Sequence, residues 1–412
     1  MEGGRRQPLL LAAMLVDTLG GGLLVPFELV YALQVSHLSL PTAGVILSVT
    51  AGAGIAVGPL AGASADRVGA AAVVAVANVL GVLGCAVLLW PNAAGYASGA
   101  FLLGAAQRTF YGAFTPLVSS MAAREELETW FGRLRAARYA GLTAGQALSG
   151  LALLVGTGSG LRLIVVANGA SFAAAGLLVV LSARGLTTAA ADSEQRRGYR
   201  AALADRLNVA LAALNIAATL LLIAPVLALP IVVLERLRLG TWVPGLLTGL
   251  LTATTAVGSL YSARLVRGRR RLRNLQLAVS LWALAFATFL LAPLGMAVAL
   301  VALFGGVLLL GLGEALYAPT ADALAPALAP PALRGRYAAL HQMAWGISET
   351  LAPTLVALSL AAGTDVLWAI LVVLAAASVA AYRILEGVSE GRDGIAGARR
   401  DTAEPPPLCE TG

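Results

Sequence analysis

The chain alternates between long apolar stretches and short segments rich in Gly, Pro, Asn and charged residues. Each apolar stretch is about as long as a membrane-spanning helix, which needs roughly 20 mainly apolar residues. The pattern predicts twelve such helices. They are predicted at 9–34, 42–64, 69–91, 95–122, 134–156 and 161–183, and then at 206–235, 243–266, 273–293, 295–322, 335–362 and 365–386.

The longest polar stretch inside the chain divides these helices into two equal sets. Residues 184–205 are predicted to be a linker between a first six-helix bundle, 1–183, and a second, 206–386. Two halves of nearly equal length are typical of an internally duplicated transporter. The tail, 387–412, is polar and ends in a Pro-rich segment, so we expect it to be disordered.

A short internal match agrees with duplication. Residues Arg138–Leu142 read RYAGL and residues Arg336–Leu340 read RYAAL. Each stands at the predicted start of the fifth helix in its half, so the match predicts that the two segments occupy equivalent positions.

Composition identifies the broad class of protein. Of the 412 residues, 59% are hydrophobic and only 12% are charged, whereas a soluble domain carries about 25% charged residues. The 46 Gly and 18 Pro residues argue against a simple Leu-rich bundle, but membrane helices tolerate both. We therefore expect an all-α integral membrane protein with many spans.

The reactive side chains make an enzyme unlikely on chemical grounds. All 28 basic residues are arginine, so a lysine nucleophile, a lysine Schiff base and a lysine-containing phosphate loop are excluded. The two histidines and two cysteines are too few and too scattered for a zinc site or a disulfide framework. We expect no cofactor and no metal.

The arginines predict the orientation in the membrane. Of the 28, 24 fall on one side of the predicted helices and only Arg162, Arg236 and Arg238 on the other, while Arg108 lies inside a helix. Basic residues accumulate on the cytoplasmic side, so both termini are predicted to be cytoplasmic in a plasma-membrane protein. The net charge of +7 is therefore a topology signal and gives no reason to expect nucleic-acid binding.

The segment between the second and third predicted helices reads GASADRVG, residues 62–69. It resembles the G-x-L-x-D-R-x-G-R-R signature that the major facilitator superfamily carries in the same loop. Four positions match: Gly62, Asp66, Arg67 and Gly69. The resemblance implies the superfamily fold, in which twelve helices form two pseudo-symmetric six-helix bundles. It also implies that these four residues belong to a cytoplasmic gate.

Two further segments are similar to superfamily motifs, and one departs from them. Residues Arg108–Gly112 (RTFYG) look like the R-x-x-Q-G element of exporters, and Leu19–Pro26 fits L-G-x5-P. Drug/proton antiporters carry G-x-x-x-G-P-x-x-G-G in the fifth helix. Here Gln146 replaces the proline and Ser149 one glycine. The resemblance implies a drug/proton antiporter, and the departure leaves the direction of transport open.

Ionisable residues inside predicted spans are costly, so each is a candidate for function. The proposed proton-coupling and substrate-cavity residues are Asp17, Glu28, Arg108, Gln146, Glu314 and Glu349. Glu28 has the alternative of a wet outer vestibule, and Asp17 that of capping a helix break at Gly20–Gly22. The residues alone do not predict which carboxylate faces Arg108.

These features predict a secondary active transporter that works by alternating access. We expect a monomer in the lipid bilayer that uses the proton gradient to export lipophilic small molecules, cations among them. Proton-coupled uptake of a small metabolite is the alternative. A membrane sensor or scaffold without transport activity is a remote third reading.

Overall fold

A computed structural model describes residues 3–121, 127–183, 204–266, 271–328 and 334–400. The secondary structure of these residues is helical throughout, and none of them forms a strand. Ten segments among them are long and apolar enough to cross a membrane. Every predicted helix has a counterpart in the structure, so the predicted all-helical membrane architecture is confirmed.

The first half contains eight helices that make six passes. They are α1 (Gly3–Leu24), α2 (Glu28–Gln34), α3 (Leu40–Gly54), α4 (Val57–Val68), α5 (Ala70–Leu88), α6 (Ala93–Met121), α7 (Leu127–Ala152) and α8 (Thr157–Ala183). The first pass combines α1 and α2, which are joined by a 3-10 turn at Val25–Phe27. Pro26 lies in that turn, where its missing N–H and fixed φ favour a break in the α-helix. The second pass combines α3 and α4.

The second half contains six helices, one for each pass. They are α9 (Arg206–Ile231), α10 (Val243–Val266), α11 (Arg271–Phe289), α12 (Met296–Leu328), α13 (Arg334–Ala362) and α14 (Thr364–Arg400). A π-helical turn, Val232–Arg236, extends α9. Both ends of the described chain lie on one side of the bundle, the terminal face. The side that carries the connections at 35–39 and 237–242 is the opposite face.

Two passes are less apolar than the other ten. The helices α6 and α7 are absent from the ten apolar segments because polar residues interrupt them, Arg108 in α6 and three arginines in α7. They nevertheless pack inside the bundle, α6 along α5 and α7 along α1. Their polar residues therefore face protein and the space between the halves, as the site shows below.

The predicted start of the fifth helix is wrong. In the described residues α7 already runs from Leu127, so Arg138 lies eleven residues inside it, whereas Arg336 is the third residue of α13. The RYAGL and RYAAL segments therefore do not occupy equivalent positions. In a chain so rich in Ala and Leu, a five-residue match arises without common structure.

The last helix also continues beyond the predicted end of its span. The helix α14 extends to Arg400, so residues 387–400 are helical where we expected disorder. Extending an existing helix costs much less than starting one, which allows a polar segment to continue it. The remaining part of the tail, 401–412, lies outside the described residues, as does most of the predicted linker.

True equivalence between the halves is visible in their backbone. His37 and Arg238 are the two non-glycine residues with positive φ in the described chain, at 54° and 50°. Each ends the first pass of its half with the same hydrogen bond, Leu38 N to Ala32 O at 3.0 Å and Leu239 N to Val233 O at 2.9 Å. In this part of the two halves, equivalent residues are 201 positions apart, as Gln34 and Glu235 are.

Two helix pairs join the halves, α3 with α13 and α7 with α10. The duplication relates them, because Gly44 of α3 and Gly245 of α10 are also 201 positions apart. A Cβ on Gly44 would lie 2.7 Å from the carbonyl oxygen of Pro353, and one on Gly245 would lie 2.7 Å from that of Gln146. Each pair thus depends on a glycine that lets backbone approach backbone.

Hydrogen bonds between the halves extend from the middle of the helices to the opposite face. The Thr354 backbone N–H and hydroxyl both donate to Ser48 Oγ, at 3.1 and 2.7 Å. At the opposite face Gln34 Nε2 donates to Glu235 Oε1 at 2.6 Å, so two equivalent positions meet each other. The halves are therefore closed together on this side.

Within the first half, α1 and α7 are also held by glycines. Cβ atoms on Gly141 and Gly145 would overlap backbone atoms of α1, at Leu15 and Leu19 respectively. These are the two glycines of the G-x-x-x-G part of the fifth-helix motif. Their role in this structure is close helix packing, which membrane helices achieve with small residues four positions apart.

We predict that Gly145→Ala destabilises the protein and that Gly21→Ala does not. The added methyl group has no room at Gly145, whereas at Gly21 no atom lies within 4 Å of it. In the control, removing a helical glycine is expected to stabilise the protein by about 0.5–1 kcal/mol. Thermal unfolding of both variants in detergent checks this, and equal behaviour of the two would contradict the packing described.

Candidate functional site

An ion pair connects the two halves in the middle of the bundle. Arg108 of α6 donates from Nη2 to Glu349 Oε2 of α13. Each residue is about midway along its helix. The side chains are 23% and 29% exposed, so neither is surrounded by bulk water. The carboxylate that faces Arg108, which the sequence left open, is Glu349.

Glycines make room for the arginine. A Cβ on Gly346, nearly one turn before Glu349, would lie 3.3 Å from Arg108 Nη1. A Cβ on Gly54 of α3 would lie 3.8 Å from the arginine Cγ. The guanidinium therefore lies against the backbone of α13, where a larger residue at 346 would press on it.

Glu314 provides a second carboxylate near the same depth. It is half-buried on α12 and accepts a hydrogen bond from Thr255 Oγ1 of α10 at 2.9 Å. Both residues belong to the second half. The hydroxyl fixes the orientation of one carboxylate oxygen, and the other oxygen is available to a ligand.

Arg138 is the residue of the site that the sequence reading missed. It is exposed on α7, and its guanidinium carbon lies 5.5 Å from the ring centroid of Tyr111 on α6. It interacts electrostatically with Asp17, Glu314 and Glu349. Arg138 therefore lies between carboxylates of both halves.

The sequence did contain a signal for Arg138. The predicted fifth span, 134–156, already contained Arg138 as its fifth residue. An ionisable residue inside a span is a candidate for function. Grouping Arg138 with the loop arginines hid this position.

Arg138 interacts electrostatically with Asp17 and Tyr111 of the first half and with Glu314 and Glu349 of the second. Because the hydrogen bonds between the halves extend from mid-helix to the opposite face, we infer that these groups border a space on the terminal side of the Arg108–Glu349 pair, called the cleft below. Tyr111 is 44% and Trp345 36% exposed. Trp345 is four residues before Glu349, so both side chains project from the same face of α13.

The two acidic residues of the first pass differ in their surroundings. Asp17 is half-buried on α1, which continues as a helix through Gly20–Gly22, so the alternative that Asp17 caps a break there is wrong. Glu28 follows the 3-10 turn and is half-buried, and it interacts electrostatically with Glu349. Tyr96 donates its hydroxyl to the Glu28 carbonyl oxygen at 3.2 Å.

Gln146 lies in the contact between the halves. Its side chain is 7% exposed, and its Oε1 accepts a hydrogen bond from Thr252 Oγ1 of α10 at 2.5 Å. The equivalent contact on the other side of the bundle places Pro353 against Gly44. The second half thus has a proline at this position, whereas the first half has a glutamine that hydrogen-bonds across the interface.

The four predicted gate-loop residues lie at the terminal end of α4. Gly69 connects α4 to α5 with φ at 96°, a conformation that favours glycine, and Arg67 is exposed. Gly62 faces α6, where a Cβ would lie 4.0 Å from the carbonyl oxygen of Gly112. Asp66 is in the last turn of α4, and its side chain lies outside the described part of the structure.

Comparison with known protein families decides the classification. The model of the Major Facilitator Superfamily matches residues 9–353, which is most of the chain. The chain belongs to the major facilitator superfamily. It is therefore a multi-pass membrane protein of a family of transporters. A search of the curated proteins found no match.

Solved structures of this superfamily have the same fold at low sequence identity. The nucleoside transporter NupG (D323A mutant) has a TM-score of 0.76 at 13% identity, covering 92% of this chain and 100% of that one. A bacterial homologue of the iron transporter ferroportin, in its inward-facing state, has a TM-score of 0.75 at 17% identity, with coverage of 92% and 98%. A POT family transporter in complex with 5-aminolevulinic acid has a TM-score of 0.76 at 14% identity, with coverage of 94% and 96%.

We predict that Arg108 and Glu349 are energetically coupled. Arg108→Gln and Glu349→Gln should each lower stability by about 1–3 kcal/mol, because each leaves a charge without its partner. The double variant should lose clearly less than the sum of the two. Thermal unfolding in detergent across the four proteins measures this coupling.

The matched control is the ion pair at the terminal face. Arg273 Nε donates to Glu386 Oε1 at 2.7 Å; the arginine side chain is 65% exposed, whereas the glutamate side chain is 13% exposed. Because water solvates the arginine, we expect this pair to contribute about 0–1 kcal/mol, as exposed pairs do. A coupling for Arg108 and Glu349 no larger than that of the control would contradict the structure described here.

Proposed function

We propose that this superfamily transporter is a proton-coupled exporter of lipophilic small molecules that carry a cationic group. It uses the proton gradient, without a cofactor, and works by alternating access as a monomer. The observation that supports this best is the Arg108–Glu349 pair, which joins the halves through a group that can be neutralised by a proton.

Glu349 is the proposed proton-coupling residue. While Glu349 is ionised, its attraction to Arg108 helps to hold the halves together in the middle of the membrane. A proton that arrives on the carboxylate removes that attraction. The charged groups that face Glu349 are Arg108, Arg138 and Glu28.

Glu314 is the proposed binding group for a cationic substrate. It faces the same cleft, and one of its oxygens is already held by Thr255. Arg108 is already paired with Glu349. The carboxylates that remain for a ligand are therefore Glu314 and Asp17. The rings of Tyr111 and Trp345 offer apolar surface for the rest of the molecule.

The proposed direction of opening follows from the contacts between the halves. They extend from mid-helix to the opposite face, so the cleft adjoins the terminal face. If both termini are cytoplasmic, as the arginine distribution favours, this conformation faces the cytoplasm and can load a substrate for export across the plasma membrane. In the same scheme the gate loop around Asp66 and Arg67 contacts the second half when the cleft closes.

Transport by purified protein in proteoliposomes tests the proposal. With a pH-sensitive dye inside the vesicles, wild-type protein should exchange protons for a lipophilic cation such as ethidium. We predict that Glu349→Gln abolishes movement driven by the pH gradient, and that Glu314→Gln weakens ethidium binding by about tenfold or more, the effect of losing one charge-assisted contact.

Asp365→Asn is the matched control, since this exposed carboxylate is in the first turn of α14, at the opposite face. Its transport should equal that of the wild type. Coupled transport that survives in the Glu314→Gln, Glu349→Gln double variant would overturn the assignment. If protons and substrate instead move in the same direction, the protein takes up its substrate by symport and the proposed export is wrong.

A further inference from the structure

Two opposite charges face the cleft without an ion-pair partner. Arg138 belongs to the first half and Glu314 to the second, and they interact electrostatically. Neither residue is in an ion pair within 4 Å in the described part of the chain, whereas Arg108 and Glu349 form one. Arg138 and Glu314 thus differ from the central pair, whose charges already meet.

The surroundings of each charge leave it accessible to a ligand. Arg138 rests on the ring of Tyr111, which supports one part of the guanidinium, and the side chain remains exposed. The N–H donors of a guanidinium lie in its plane, where they can bind a carboxylate through two hydrogen bonds. Glu314 keeps one oxygen that Thr255 does not hold.

We propose that the substrate is a zwitterion that bridges the halves. Its anionic group, a carboxylate, binds Arg138 of α7, and its ammonium group binds Glu314 of α12. This inference rests on the proposed function, which makes the cleft the transport site, and it specifies the charge of the cargo.

The charges in the cleft favour a zwitterion over a simple cation. A cation at Glu314 would leave Arg138 unpaired and would be repelled by it across a medium of low dielectric constant. A zwitterion satisfies both groups at once. It also draws α7 and α12 together, so binding itself favours closure of the halves, as a carrier requires.

The test uses one scaffold in three charge states. L-Tryptophan is the zwitterion, its methyl ester carries the cation alone, and N-acetyl-L-tryptophan carries the anion alone; the same three forms of L-phenylalanine are measured beside them. Aromatic scaffolds suit the exposed rings of Tyr111 and Trp345. Binding to the full-length protein in detergent is measured by titration calorimetry.

We expect wild-type protein to bind each zwitterion at least tenfold more tightly than its ester. Arg138→Gln should remove this preference and leave ester binding unchanged or stronger. The control is Arg133→Gln, an arginine of the same helix whose guanidinium carbon lies 5.9 Å from the Trp130 ring centroid. It should bind all six compounds as the wild type does.

Several outcomes would overturn the inference. Esters that bind as well as zwitterions, a zwitterion preference that survives Arg138→Gln, or wild-type protein that binds none of the six would each do so. None of these affects the proposed function, which is tested separately by proton coupling in the Glu314→Gln, Glu349→Gln double variant and by the direction of proton-driven accumulation. The inference is supported if the preference for zwitterions is absent in Arg138→Gln and present in Arg133→Gln.

Discussion

A guanidinium in the middle of a membrane needs a carboxylate beside it, and in this protein the carboxylate comes from the other half of the molecule. The Arg108–Glu349 pair therefore does more than neutralise a charge. It links two bundles that otherwise meet through glycine-mediated packing and hydrogen bonds, and it places a titratable group in that link. The arrangement of the cleft follows from it, because Arg108 occupies Glu349 and leaves Glu314, Asp17 and Arg138 to other partners.

The internal duplication explains why the halves fit together at all. Gly44 and Gly245 occupy equivalent positions, and each allows close approach to a helix of the other half. The two contacts have diverged where they face these glycines. One side has Pro353 and the other has Gln146, which bonds to Thr252 across the interface. In the fifth-helix motif, Gln146 stands in place of a proline. The proline's restraint on the backbone is therefore absent here, and a hydrogen bond between the bundles takes its place.

Much of the architecture could be predicted from the sequence, because hydrophobic length and arginine distribution depend on local composition alone. The twelve passes and the choice of Arg108, Glu314 and Glu349 as candidate site residues follow from that information. Which carboxylate meets Arg108 depends on packing between helices far apart in sequence, which no local pattern contains. Arg138 was missed because an arginine close to a loop looks like a topology signal. The apparent repeat at Arg138 and Arg336 misled for a related reason, since composition alone produces such matches.

The central claim is that protonation of Glu349 releases the halves from each other. Distances between spin labels on exposed Val68 of the first half and exposed Ile384 of the second test it directly, in protein whose two cysteines are replaced by serine. The account predicts that the distance distribution of wild-type protein shifts between about pH 8 and about pH 5, because a proton on Glu349 removes its attraction to Arg108. It predicts that Glu349→Gln gives the acid distribution at both values. A Glu349→Gln variant that shifts with pH as the wild type does would contradict it.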